Sequence, residues 1–180
     1  MVVHEEFDRD AVVEELEQVR LVFNRLLTAA SRSDLRRGTA GTRWTNEQLL
    51  FHMLFGYIIV LALLRLVGLF SRLPASASRG FARVLDAAIV PFNAVNYWGS
   101  CAGALVFNRE RMGAKLDRVI AKLQRHVLLA TDRELSRGMH YPTSWDPFFG
   151  SYMTLAELYR YPTKHFEFHR CQLTFGSSAG

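Results

Sequence analysis

Thr45-Asn46-Glu47-Gln48, running on into Leu49-Leu50-Phe51-His52-Met53-Leu54-Phe55-Gly56, is where the fold first becomes readable. A threonine three residues before a glutamine fits a capping box, in which the hydroxyl receives a backbone N–H and the amide reaches back to the cap. From Gln48 to Leu64 there is no Asp, Glu, Lys or Arg, and the apolar run resumes after Arg65 as Leu66 to Phe70. The stretch therefore predicts one long apolar helix, opened at the box and ending near Phe70. Upstream, Val12, Val13, Leu16, Val19, Val22, Phe23, Leu26 and Leu27 recur at three- and four-residue intervals over Asp10 to Ala30, with acids early, where the helix dipole favours them. Ser31 to Arg43 reads as a polar connection.

Downstream, Ser78 to Val90 reads as a shorter helix ended or kinked by Pro91, and Phe92 to Phe107 is ambiguous. Asn108 can cap a helix over Arg109 to Ala130. A loop rich in Pro and aromatics follows, and Thr154-Leu155-Ala156-Glu157 is a second capping box, opening a last helix expected to reach about Phe175 with Pro162 inside it. Strand-like alternation is nearly absent. The expectation is a single all-α domain over residues 1–180, with ends fraying near 1–7 and 176–180. Its predicted architecture is an antiparallel four-helix bundle with additional short helices between the second and third long helices.

With 180 residues, the chain can bury roughly 70% of its unfolded surface in one core. Two cysteines, Cys101 and Cys171, exclude a disulfide scaffold or a Cys-rich zinc module, and the acidic start has no basic-then-apolar leader, so a cytoplasmic setting is expected. The formal charge of +5 is carried by Arg residues that mostly alternate with acids along helices, as in Asp132-Arg133-Glu134. Ion-paired helix faces account for that pattern, and nucleic acid is not an expected partner. A spanning helix needs about 20 mostly apolar residues. The second helix approaches that, and a buried bundle helix or the face of a homodimer is preferred to a membrane span, with membrane association kept as an alternative.

Chemistry points to the histidines. His165 and His169, in Lys164-His-Phe-Glu-Phe-His-Arg170, stand at i and i+4, so both imidazoles occupy one helix face and can reach one ion at about 2.0–2.1 Å each. Glu167 between them points away, so this is not the helix of an HExxH metalloprotease. A third ligand is needed, and His52, set in an apolar helix where an unpartnered imidazole is costly, is the candidate. Asp146, in Ser144-Trp-Asp-Pro147, reads first as an Asp-Pro turn and second as a carboxylate that orients an imidazole. Tyr97, Tyr159 and Tyr161 could each donate a hydrogen bond to a developing anion. Arg43, Arg160 and Arg170 could receive a carboxylate. Cys171 faces away from the pair, Cys101 reads as a buried thiol, and the Trp145, Phe148, Phe149 and Tyr152 cluster reads as a lid or core plug.

Two motifs together carry a resemblance. Trp44-Thr-Asn-Glu-Gln-Leu-Leu-Phe-His52 looks like a tryptophan, a small polar cap and a helix bearing a first histidine, and His165-Phe-Glu-Phe-His169-Arg-Cys-Gln172-Leu173 looks like an HxxxH-x-x-Q-L helix. In both, and in helix order over about Asp10 to Phe175, the chain resembles the DinB-like superfamily of small four-helix metalloproteins, related to YfiT-type hydrolases and thiol-dependent transferases and isomerases. The resemblance implies that His52, His165 and His169 hold one divalent metal, zinc ahead of nickel or iron. It also implies a small-molecule substrate, with a low-molecular-weight thiol as co-substrate; mycothiol suits so Arg-rich a chain. Transferase or isomerase chemistry is expected ahead of hydrolysis by activated water. A non-catalytic helical interaction protein is the alternative of another class. Asp146, Tyr161 and Arg170 are the expected supporting or substrate-binding residues. The apolar second helix and the Ala75 to Phe107 insert exceed what that fold requires, and a hydrophobic substrate, a dimer partner or lipid would each explain the surplus.

Overall fold

A computed structural model describes residues 7–175. Eight helices and one small hairpin make up the described chain, α1 Arg9–Ala29, α2 Arg32–Arg36, α3 Asn46–Phe70, α4 Ala75–Ala87, α5 Ile89–Val106, α6 Arg109–Leu129, α7 Asp132–Leu135 and α8 Leu155–Arg170, with β1 Gly138–His140 antiparallel to β2 Tyr152–Thr154. The protein is thus mostly helical. The expected fraying of 1–6 and 176–180 lies outside the described residues. Phe7 packs its ring 6.3 Å from that of Tyr159 instead of fraying.

Local chemistry sets the helix ends. Asp8, Thr45, Asn108 and Thr154 each cap a long helix by accepting a backbone N–H three residues on, and at Thr45 and Thr154 the reciprocal Gln48 and Glu157 complete capping boxes. Such a cap stabilises its helix by about 1 kcal/mol. The apolar stripe of α1 (Val12, Leu16, Val19, Phe23, Leu27) and that of α6 (Met112, Leu116, Val119, Ile120, Leu123, Val127) are both buried, and the two helices pack on each other. Each fully buried side chain of this kind contributes roughly 1.5–3 kcal/mol. The guanidinium of Arg9, opening α1, donates to the carbonyl of Ala130 behind α6, and that of Arg109, opening α6, donates to Ala30 behind α1. The two helices therefore run antiparallel, and each supplies a cation to the negative end of the other. Arg109 and Arg111 thus bind carbonyls rather than the acids expected of an ion-paired face.

A second antiparallel pair, α3 and α8, carries the histidines. Asn46 at the start of α3 hydrogen-bonds Thr174 beyond α8, while Tyr57 further along α3 meets Phe166. Helix α3 packs on α8, α6 and α5, and α1 packs on α6 and α8. Most of the buried residues of α3 lie in its first half, Leu49 to Leu54 in an unbroken run; past Val60 only Val67 is buried. It is the one described helix long and apolar enough to cross a membrane, with a mean hydropathy of 2.4 in its most apolar window.

Between α3 and α6 the chain departs from the expectation. The helix expected to run to Val90 stops at Ala87, the residue whose carbonyl an N–H at position 91 would have bonded, and Pro91 itself lies in the first turn of α5. The ambiguous 92–107 stretch is helical, and at 18 residues α5 is longer than α8 at 16, so the insert is not made only of short helices. Gly103 serves close packing: a Cβ there would come within 2.0 Å of the Phe51 ring of α3. The polar connection after α1 contains α2, and its turn uses Gly41 at φ 76°, the left-handed region open to glycine. The last helix stops at Arg170, five residues earlier than expected, and the chain then turns back so that the carbonyl of Gln172 accepts from Ala40.

Candidate metal centre

The two capping boxes place the three histidines. Because α3 starts at Asn46, His52 lies two turns in on the buried face, and because α8 starts at Leu155, Tyr161, His165 and His169 follow one another at four-residue steps toward the same place. His52, His165 and His169 are 6%, 6% and 9% exposed, and one ring nitrogen from each lies within 4.8 Å of the others.

Each imidazole is held by its Nδ1 to a different acceptor. The Nδ1–H of His165 donates to Asp146 Oδ2 at 2.8 Å, that of His169 to the Gln172 side-chain oxygen at 2.7 Å, and that of His52 faces Ser100 Oγ at 3.3 Å. The Ser100 hydroxyl gives its own proton to the Asn96 carbonyl, so a lone pair remains for His52. These tautomers follow from the acceptors, and they leave Nε2 of every ring as a lone pair. His165 Nε2 is buried with no hydrogen-bond partner. An unpaired buried nitrogen in a native core is costly, whereas anchored imidazoles with bare Nε2 atoms are the usual state of metal ligands. A tetrahedral ion needs nitrogens about 3.4 Å apart, which small side-chain rotations within this envelope supply. The three histidines and their acceptors fit a divalent ion.

Asp146 combines both roles considered for it. Its Oδ1 accepts the Phe148 N–H at 2.8 Å, closing the turn, while Oδ2 accepts from His165 and from the Tyr161 hydroxyl at 2.9 Å. Burial pushes its carboxyl up, but the hydrogen bond and charge of His165, with Phe148 and Tyr161, outweigh that and hold it below its ordinary range. Burial, with the Asp146 charge, pushes the Tyr161 hydroxyl up, so it stays a donor. His52 is held well below its ordinary value by burial and by the other two imidazoles, and His169 is brought down to about 4 by burial and by His165.

The other residues singled out lie elsewhere. Arg170 pairs with Glu167 at 2.7 Å on the exposed side of α8, so it neither touches the histidines nor lines the cavity before them. Arg43 lies 4.6 Å over the Tyr97 ring, and Arg160 lies over Phe7. Tyr97 is a stacking platform and Tyr159 a core residue. Cys171 is exposed and Cys101 only half-buried, so the latter is not the buried thiol expected. Trp44 gains a reason for its place: it stacks on His52 at 4.4 Å and is backed by Tyr97, fixing the imidazole plane. Ser100 and Gly56 were not anticipated. Ser100 gave no signal beyond being a polar residue among small ones, and Gly56 none beyond standing four residues after His52.

Gly56 gives the ring of His165 its room, since a Cβ there would approach His165 Cδ2 to 3.2 Å. Alanine is the better helix former by about 1 kcal/mol, so Gly56→Ala is expected to keep or raise thermal stability while weakening metal binding about tenfold by displacing the ring. Calorimetric metal titration with a melting curve separates the two effects; unchanged affinity would mean that His165 needs no such room.

Acid should attack the metal-free protein here. His52 and His169 both bind protons less readily folded than unfolded, so their contribution is intact above the unfolded value of 6.5 and is lost as pH falls through the folded one, about 4 for His169. The expected loss is about 3 kcal/mol from His169 alone, read as Tm against pH, and His169→Ala should flatten the profile.

A cavity of about 470 Å³ opens before the three imidazoles, walled by α3, α5, α8 and the 145–149 loop. Comparison with known protein families, with curated proteins and with solved structures finds no match for this chain. What the centre can do chemically therefore follows from its own geometry.

Proposed function

We propose that the protein is a metal-dependent enzyme of the DinB-like kind, holding one divalent ion, zinc ahead of nickel or iron, on His52, His165 and His169. The observation that carries this reading is the arrangement of three buried imidazoles, each anchored through Nδ1 by a different acceptor, with Nε2 of His165 left unpartnered. The scaffold proposed for it is an antiparallel four-helix bundle of α1, α3, α6 and α8, supported by the antiparallel α1–α6 and α3–α8 pairs and by the packing of α3 on α6 and α1 on α8. When bound, such an ion lowers the pKa of a coordinated thiol or water toward neutrality and polarises a carbonyl.

The chain's own residues do the rest. Asp146 fixes the tautomer of His165 and, as an anion, makes its Nε2 a stronger donor. Gln172 and Ser100 do the same orienting work for His169 and His52 without charge. The aromatic wall lowers the polarity of the reacting face. Among the described residues lining the cavity, Asp146 is the one carboxylate, and three donors already occupy it, so no free base stands ready to take a proton from water. A thiol, with an ordinary pKa near 8.5, needs far less help than water. That favours thiol transfer or isomerisation over hydrolysis, with mycothiol the candidate co-substrate.

Cobalt in place of the native metal provides the test. Added mycothiol or a small thiol analogue is expected to produce a sulfur-to-cobalt charge-transfer band in the near ultraviolet and to shift the visible bands. A spectrum that every thiol leaves unchanged would rule out the thiol version. The alternative reading, a non-catalytic interaction protein, draws on α5, where Val90, Val95 and Leu105 are 76%, 70% and 87% exposed.

A further inference from the structure

The cavity before the histidines is selective by composition. We infer that the substrate it takes, as distinct from any thiol co-substrate, is an uncharged aromatic small molecule, whose donor group faces the three imidazoles while its ring lies against the aromatic walls. The inference rests on the metal reading only for which end of the ligand meets the histidines; the walls exist without it.

Trp44, Phe55, Phe92, Trp145, Phe148 and Phe168 give the lining its aromatic character, and none of the lining residues is Lys or Arg. About 470 Å³ is the size of a site that buries most of a small drug-like molecule. In the metal-free protein an anionic ligand would find no Lys or Arg in the wall: Arg43 is stacked on Tyr97 and Arg170 is paired with Glu167, both outside the lining. A buried charge without a partner costs far more than the apolar contacts around it return. A cationic ligand fares no better, since the hydrogen bonds of His165, Tyr161 and Phe148 already surround the Asp146 carboxylate. Asn96 is the one side-chain amide in the lining, which limits the polar content of whatever part of a ligand lies between the walls to a group or two.

Aromatic surfaces are already assembled here. Phe92 lies on Trp145 with ring centres 3.8 Å apart and planes 11° from parallel, Phe149 lies on Tyr161 at 4.6 Å, and Phe148 meets Phe168 edge-on at 5.6 Å. Trp145 is held in place by its indole N–H donating to the Leu85 carbonyl at 2.8 Å, and neighbouring Ser144 donates to Asp86. The loop that forms one wall is thus tied to α4, so little ordering remains to be done when a flat ring enters. Rings add to such surfaces in offset or edge-on contacts that an aliphatic chain cannot make.

The test uses the full-length, metal-free protein with three neutral or anionic probes of similar bulk, naphthol, naphthoate and decalinol, titrated by calorimetry and by quenching of tryptophan emission. Naphthol is expected to bind at least about tenfold more tightly than naphthoate, and more tightly than decalinol. Val95 lines the cavity but is 70% exposed, so Val95→Arg places a cation at the wall without disturbing the core. In that variant the preference for naphthol over naphthoate is expected to shrink by about tenfold or more. Naphthoate binding as tightly as naphthol in the unaltered protein, decalinol binding as tightly, a ratio that Val95→Arg leaves unchanged, or no binding of naphthol would each overturn the inference. Naphthol binding to a protein that never loads metal would overturn the metal reading alone; metal loading without naphthol binding would overturn only the ligand class.

Discussion

His165→Ala, and equally His52→Ala and His169→Ala, is expected to abolish stoichiometric metal and with it the stabilisation that metal confers. The expected size comes from mass action. A ligand at a thousand times its Kd stabilises the fold by about 4 kcal/mol, so the metal-loaded protein should melt well above the metal-free one and each variant should show no such rise. The three side chains contribute one nitrogen each to the same small envelope, and two imidazoles cannot substitute for three. His165→Ala is the most informative of the set. It removes a buried nitrogen without a partner, so part of what the substitution costs in packing is offset in the metal-free state. Histidines kept for structure alone predict the opposite pattern, in which melting temperature falls in every variant and added metal changes nothing in any of them, the unaltered protein included.

Asp146→Ala should follow as the second-largest effect, weakening metal binding by about 10–100-fold through loss of the group that orients His165. The same change frees the Tyr161 hydroxyl and the Phe148 N–H, so the 145–149 loop should loosen as well. Asp146→Asn separates the contributions. Its amide oxygen can still accept one hydrogen bond, but the negative charge is gone, so it is expected to hold the loop better than Ala while still binding metal less tightly than Asp. Equal metal affinity in all three proteins, measured by competition with a chromogenic chelator, would reduce Asp146 to a turn residue.

What the sequence made legible, it made legible through local rules. The capping boxes at Thr45 and Thr154 announce helix starts because the hydrogen bonds they make lie within three residues, and those starts fix the phase of His52, His165 and His169. The 3.6-residue period does the same for α1 and α6. Where the reading failed, the deciding contact was distant. Pro91 follows the end of one helix and stands in the first turn of the next, and that 92–107 continues as a helix is decided by the packing of α5 on α3, close enough to need Gly103 against Phe51. The end of α8 was misplaced because Gln172, apolar-patterned neighbours notwithstanding, turns back to hold His169 and the 40 region. At the site, the His pair was visible from its spacing, but Ser100 reaches His52 from 48 positions along the chain, and no local pattern could assign it. Arg170 was misjudged for a related reason: adjacency to His169 in sequence is a rotation of about 100° on a helix, which turns it to Glu167 and solvent.

The most direct test of the central claim is elemental analysis of the tag-free protein after dialysis against a weak chelator, with His165→Ala carried in parallel. The account predicts close to one divalent metal per chain in the unaltered protein and none in the variant. No metal in either, even after reconstitution with zinc, nickel and ferrous iron, would contradict it and leave the exposed apolar surface of α5 as the feature to explain.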